Sequence, residues 1–163
     1  MTRVLIVGTG RMARIRALAA RQLDPDCELV FVARDESRAE ALAQTLGASS
    51  ATYSAIQTTR TDVVFITSST ACHAGDLLEA LGCERPILIE KPVALNVVDA
   101  QRLQAAVVAV GVPVVVGFQR RFDPEFRAIH DAVRGGDLGR LYVIRSASMD
   151  YRPAAEEFIA ESG

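Results

Sequence analysis

Several short segments of the chain carry residue types at spacings that could do chemistry. The first is Gly8-Thr9-Gly10-Arg11-Met12-Ala13, set directly after the apolar run Val4-Leu5-Ile6-Val7. Glycine at the first position permits a tight turn, glycine at the third lets backbone approach an anion, and a small sixth residue lets a helix pack closely on a strand. The free N–H groups and dipole of a helix opening here favour negative charge. Gly8, Thr9, Gly10, Arg11 and Met12 are therefore expected to hold the pyrophosphate of NAD or NADP. Such a pattern is weak evidence alone and strong between a buried strand and a helix. The alternative is a glycine turn with no ligand.

The second segment is Val32-Ala33-Arg34-Asp35. At the end of the second strand of a dinucleotide fold, a carboxylate hydrogen-bonds the ribose 2′-hydroxyl, whereas an arginine accommodates a 2′-phosphate. Arg34 comes first here, and a guanidinium can fork onto phosphate and stack on adenine. This order favours NADP over NAD. The alternative is a solvated Arg34, with Asp35 capping a helix and holding the ribose of NAD.

Two further segments fall where strands should end. Thr67, Ser68 and Ser69 are small hydroxyl residues suited to lining the nicotinamide ribose, and His73 follows at the start of a helix, near the crevice. His73 is equally well explained as a solvent-touching residue of that helix. Glu90-Lys91-Pro92 puts a lysine at a sheet edge, where it can act as acid, base or electrostatic polariser, with Glu90 orienting it and offsetting its charge.

The elements that must position these residues follow from apolar periodicity. Continuous apolar runs at 3–7, 28–33, 62–66, 86–89 and 113–116 read as strands buried on both faces, with a short third strand at 52–53. Amphipathic stretches at 12–21, 36–46, 71–81 and 97–110 read as helices between them, with Asp35 and Asn96 as caps and Gly47, Gly82 and Gly111 as stops. This alternation predicts an α/β fold, a doubly wound parallel-sheet Rossmann domain over 1–118, with its ligand crevice outside the carboxyl ends of strands one and four. After Gly117 the pattern changes. Asp123-Pro124 opens another helix, Gly135-Gly136 ends it, 141–147 alternates like a strand, and 151–163 reads as loop and short helix. A lone strand cannot make a sheet. Residues 119–163 are therefore expected to be the incomplete start of an α+β second domain. Exposed Tyr142 and Ile144 would invite pairing into a homo-oligomer, or a mobile tail.

The bulk numbers fit a globule and exclude some functions. The 163 residues are 50% apolar and 23% charged, with a net charge of −2 and dispersed basic residues. That argues against a nucleic-acid partner, and six Phe and three Tyr without Trp make a poor base-stacking platform. Three cysteines with no CxxC pair, and only two histidines, suggest no metal site and a reducing cytoplasmic setting. No apolar run is long enough to span a bilayer, and none has the form of a signal peptide. No Tyr-x-x-x-Lys pattern occurs, which disfavours a short-chain dehydrogenase. The turn after the first strand and the Glu-Lys-Pro edge fit a nicotinamide site better than a methyltransferase.

Taken together, these segments resemble the Gfo/Idh/MocA oxidoreductases along the whole chain. The matching pieces are Gly8-Thr9-Gly10-Arg11-Met12-Ala13, Ala33-Arg34-Asp35 with Arg38-Ala39, His73, Glu90-Lys91-Pro92, and Gly117-Phe118-Gln119-Arg120-Arg121-Phe122-Asp123-Pro124. Gly139-Arg140-Leu141 and Arg145-Ser146 fit the start of the family's second domain. The resemblance implies NAD(P)-dependent hydride transfer at a hydroxyl carbon of a sugar or cyclitol, with Lys91 in the catalytic set. It implies that Gln119, Arg120 and Arg121 lie near nicotinamide and substrate, and that the Lys91-Pro92 bond is cis. The inositol dehydrogenase-like branch looks nearest, from Arg120-Arg121-Phe122-Asp123-Pro124 and the Phe158-Ile159…Ser162-Gly163 tail. The sequence departs in having Ser69 where the family often has Pro. The family's catalytic Asp and His fall in a later segment, so this chain is expected to bind cofactor and be inactive alone. The competing readings are a dinucleotide-binding sensor or assembly module without catalysis, and a vestigial site on a partner subunit.

Overall fold

The computed structural model describes residues 1–147 and 149. The chain divides into two compact units, Met1–Gly117 and Phe118–Gly163.

The first unit alternates strand and helix: β1 (Arg3–Val7), α1 (Arg11–Leu23), β2 (Glu28–Ala33), α2 (Glu36–Leu46), β3 (Ser49–Thr52), β4 (Val63–Ile66), α3 (Thr70–Leu81), β5 (Ile87–Ile89), α4 (Val97–Val110) and β6 (Val114–Val116). The six strands form one sheet in the order β3-β2-β1-β4-β5-β6, all parallel. The order reverses between β1 and β4, which opens a crevice beyond their carboxyl ends. Val7 pairs with Val32 on one side and Ile66 on the other, so β1 and β4 end level and β2 runs one residue further.

Strand β1 shows why its sequence is apolar throughout. Val4 and Ile6 join one buried cluster with Leu29 and Phe31, while Leu5 and Val7 join the other with Val30, Val32, Val64, Ile66 and Leu77. A strand covered on both faces needs no polar alternation. On the first face α1 and α2 bury only alanines, Ala13 and Ala17, Ala39 and Ala43. Ala13 is the small sixth residue of the glycine motif, and it is completely buried.

One local expectation shifts here. The third strand runs Ser49–Thr52 rather than 52–53, and Tyr53–Ala55 turns as a 3-10 helix. The cause is register, because Ser49 to Thr52 pair with Val30 to Ala33. Ser49 also donates its hydroxyl to the Leu29 carbonyl at 3.3 Å.

The second unit holds a 3-10 turn (Gln119–Phe122) and α5 (Pro124–Gly135). The Asp123 carboxylate accepts from the N–H groups of Glu125 and Phe126, and Pro124 takes the first helical position. Residues 141–147 form no strand, contrary to their alternation. Tyr142 and Ile144 are 81% and 79% exposed. Alternation alone does not make a strand when no neighbour supplies the ladder. The expected loop and helix of 151–163, and the tail resemblance within it, lie outside the described residues.

Candidate dinucleotide site

The glycine turn sits where the sheet order reverses. Gly8 has φ +117°, and its N–H donates to the Val32 carbonyl at 2.8 Å. A Cβ on Gly8 would lie 2.7 Å from the Ser68 nitrogen, so the loops after β1 and β4 touch through this missing side chain. Gly10 differs: its φ is −79°, and nothing stands within 4 Å of where a Cβ would be. The space over Gly10 is open, as an approaching diphosphate requires.

The helix termini point the same way. α2, α4 and α5 are each capped by a side chain, from Asp35, Asn96 and Asp123. α1 and α3 begin at Gly10 and Ser69 with no side-chain cap and no acidic residue in the first turn. These two helices start beyond β1 and β4, so their unmet N–H groups and dipoles face the crevice. Thr9 and Met12 are half-buried there, and Arg11 is exposed.

The three hydroxyl residues after β4 have separate roles. Thr67 is buried and uses both its N–H and its hydroxyl on the Val7 carbonyl, at 2.8 and 2.9 Å. The Ser68 hydroxyl donates to Asp76 at 2.5 Å. Ser69 is exposed, its hydroxyl 3.4 Å from the Cys72 Sγ. Of the three, only Ser69 is exposed. His73 is 1% exposed, with Nδ1 2.6 Å from the Pro92 carbonyl and Nε2 3.0 Å from the Ser68 carbonyl. The ring ties the loop after β4 to the loop after β5, and the solvent-touching alternative for His73 does not hold.

The Arg34 corner departs furthest from expectation. Its Nη2 donates to Asp76 Oδ1 at 2.8 Å and to the Tyr53 hydroxyl at 2.7 Å, and the guanidinium stacks 4.3 Å from the Tyr53 ring centre. Tyr53 in turn donates to the same Asp76 oxygen at 2.5 Å. Burial is the strongest influence on the Arg34 charge and opposes it, but the bond to Asp76 together with the attraction of Asp76, Tyr53 and Cys72 holds the group above its ordinary range. Burial, then the bond to Asp76, pushes the Tyr53 phenol up as well. Arg34 is therefore a paired cation, not the free one expected from the sequence. Asp35 caps α2, and the Ser37 hydroxyl, then the Arg38 N–H, lower its carboxyl below the usual range.

Beyond β5, the Lys91–Pro92 peptide is cis, as the resemblance implies. Lys91 is exposed, and no ion pair to it occurs among the described residues. Glu90 does not serve it. The Glu90 carboxylate is buried and accepts from Arg16 of α1, whose Nε and Nη2 both lie 2.6 Å from Oε1. Gly117 makes room for this pair, since a Cβ there would meet Glu90 Oε2 at 3.0 Å and Arg16 Nη2 at 3.1 Å. In the second unit Gln119, Arg120 and Arg121 occupy the exposed 3-10 turn. Arg120 lies 5.2 Å from the Phe126 ring and Arg121 5.8 Å from that of Phe118.

Reasoning from sequence missed Asp76, Tyr53 and Arg16. A signal for Asp76 was present. The buried residues of α3 are His73, Asp76, Leu77, Ala80 and Leu81, one continuous helical face, so a polar residue on that spacing needed a partner inside.

Comparison with known proteins agrees with this geometry. A putative myo-inositol dehydrogenase structure from Sinorhizobium meliloti 1021 superposes with TM-score 0.75 at 29% identity, over 85% of this chain and 43% of that one. The myo-inositol dehydrogenase of Lactobacillus casei, solved in complex with NAD(H) and myo-inositol, gives 0.75 at 27% identity over the same shares. A myo-inositol dehydrogenase of Streptomyces leeuwenhoekii is 34% identical over 98% of this chain and 50% of its own length. The chain thus spans about half the length of the curated relatives it matches. The model of the oxidoreductase family with an NAD-binding Rossmann fold matches residues 2–118. The turn, the switch point and the Glu-Lys-Pro edge all fall inside that match, and the chain belongs to the Gfo/Idh/MocA oxidoreductase family.

Proposed function

We propose that residues 1–118 bind NAD(H), and that in the longer protein Lys91 acts on a hydroxyl of a cyclitol or sugar. The carrying observation is the crevice between β1 and β4. Two uncapped helices open onto it, Gly10 leaves it clear, and Lys91 stands unpaired at the end of the next strand. NAD⁺ would supply the hydride acceptor. Gly8 to Met12 hold the pyrophosphate, Asp35 meets the ribose hydroxyl, and Ser69 borders the nicotinamide side. Lys91 would donate to the substrate oxygen and offset negative charge as the O–H proton passes to a base in the remaining half of the longer protein and the carbon-bound hydride passes to NAD⁺. His73 acts through Ser68 and Pro92, fixing the loops on either side. Gln119, Arg120 and Arg121 remain candidate ligands on the strength of the resemblance.

The cofactor preference is NAD rather than NADP, supported by the ion pair of Arg34 Nη2 with Asp76 and by the match to a family with an NAD-binding Rossmann fold. The inositol dehydrogenases among the relatives support a cyclitol substrate. The remaining half of their length is the proposed source of the other substrate-site residues, so this chain should bind nucleotide without turnover. A reducing compartment such as the cytoplasm fits the free thiols of Cys27, Cys72 and Cys83. Among the described residues no helix is long and apolar enough to cross a membrane. Association between copies belongs to the same reading, since Tyr142 and Ile144 are exposed.

Fluorescence titration with NADH and NADPH, followed by an oxidation assay on inositols and hexoses, tests the proposal. NADH should bind, and no product should form. Turnover by this chain alone would overturn the division of labour. Failure to bind either nucleotide would overturn the site itself.

A further inference from the structure

Asp76 is the most completely buried charged group of the first unit, with 0% of its side chain exposed. It accepts from three elements: Arg34 beyond β2, Tyr53 beyond β3 and Ser68 beyond β4. Arg34 is thereby fixed by its ion pair, by the Tyr53 hydroxyl and by the Tyr53 ring. Behind it stands Gly75, where a Cβ would lie 3.8 Å from Nη2, so the guanidinium lies close against α3.

We infer that Asp76 is a specificity-determining residue, which excludes the 2′-phosphate of NADP(H) by holding the Arg34 guanidinium as its own counter-ion. The inference rests on the reading of the crevice as a dinucleotide site and deepens it. A 2′-phosphate arriving at Arg34 meets a cation whose charge is already balanced by a carboxylate 2.8 Å away. Sharing the arginine would place phosphate and carboxylate, both anions, on one guanidinium. Taking the arginine away would leave a buried carboxylate without its ion partner, which is costly. Asp35 adds a second carboxylate to the corner, where Arg34 and Arg38 are the cations. The charges of these four side chains therefore cancel, and Arg34 brings no uncompensated charge to a phosphate dianion. The ribose 2′-hydroxyl of NAD meets neither obstacle. Asp76 touches no nucleotide in this account. It is a positioning residue that acts through Arg34.

The test compares NADH and NADPH affinities of the 163-residue chain and its variants by fluorescence titration. The parent should favour NADH. Asp76→Asn keeps the shape and removes the charge. It should tighten NADPH about tenfold, the worth of one charge-assisted hydrogen bond, and change NADH by less than about threefold. Adding Arg34→Ala to that variant should erase the gain. An unchanged NADH-to-NADPH ratio in Asp76→Asn would overturn the inference, as would a parent that prefers NADPH. Should Asp76→Asn not fold, Arg34→Gln in the parent, which removes the charge but keeps an N–H donor for Asp76, decides: the ratio should stay within about threefold, whereas a loss confined to NADPH would show that Arg34 reads the phosphate. A parent that binds neither nucleotide would overturn the dinucleotide reading and this inference with it. A parent that binds NADH, with an unresponsive Asp76→Asn, would overturn this inference alone.

Discussion

Gly8 and Gly10 stand two residues apart and answer to different constraints. Gly8 is fixed by the fold, through its φ of +117° and a Cβ position 2.7 Å from the Ser68 nitrogen. Gly10 has an ordinary φ of −79° and free space beside it. Gly8→Ala should therefore lower stability by about 1–3 kcal/mol, as overpacking against backbone does. Gly10→Ala should melt like the parent yet lose NADH binding, because its methyl fills the space the diphosphate needs. Thermal unfolding beside NADH titration checks both, and a Gly10→Ala variant that still binds normally would count against the site. At this scale the sequence was legible where chemistry is local. The Gly8 turn, the Asp35 cap and the place of Lys91 at the end of β5 each follow from their neighbours. Asp76 does not, because its partners lie 42, 23 and 8 residues away. The expectation of a free Arg34 failed for that reason. A charged residue after a strand reads as solvated until the helix packed over it is known.

Among the elements, the central strands and the capped helices stand close to where periodicity puts them. The α1 stretch extends to Arg11–Leu23 and β4 shortens to Val63–Ile66. What periodicity could not show are the 3-10 turns Tyr53–Ala55 and Gln119–Phe122, which are too short to repeat anything. Nor could it show which elements are joined by charge. Glu90 at the end of β5 and Arg16 in α1 are 74 residues apart, yet they form the buried pair beneath the site. Lys91 beside it is the residue that local reading would pair with Glu90. Glu90→Gln should cost roughly 2 kcal/mol, the worth of hydrogen bonds to a charged group. In urea the unfolding midpoint should fall while the slope stays constant. An unmoved midpoint would mean that the pair does not hold β5 to α1.

At the scale of the whole molecule, stability is unevenly spread. The sheet of the first unit is enclosed by two buried clusters, whereas none of the described residues in 118–147 is buried. A segment with so little buried apolar surface opens most readily. Limited trypsin digestion should therefore cut first among Arg120, Arg121, Arg127 and Arg134, and leave an N-terminal product that retains NADH. First cuts within α1 or α2 would contradict this. The compact first unit ends at Gly117, where the sequence pattern also changes, while the failure of 141–147 to form a strand depended on a partner strand that no local pattern reveals. The Arg16–Glu90 pair also has a dynamic consequence. α1 begins at Gly10, where the proposed diphosphate would lie, and its Arg16 holds Glu90 at the end of β5, one residue from Lys91. If the proposed site holds, nucleotide binding at Gly10 should be felt at Glu90 through this pair. Backbone amides at residues 90 and 91 should exchange deuterium more slowly once NADH is bound, and Glu90→Gln should uncouple that protection from occupancy.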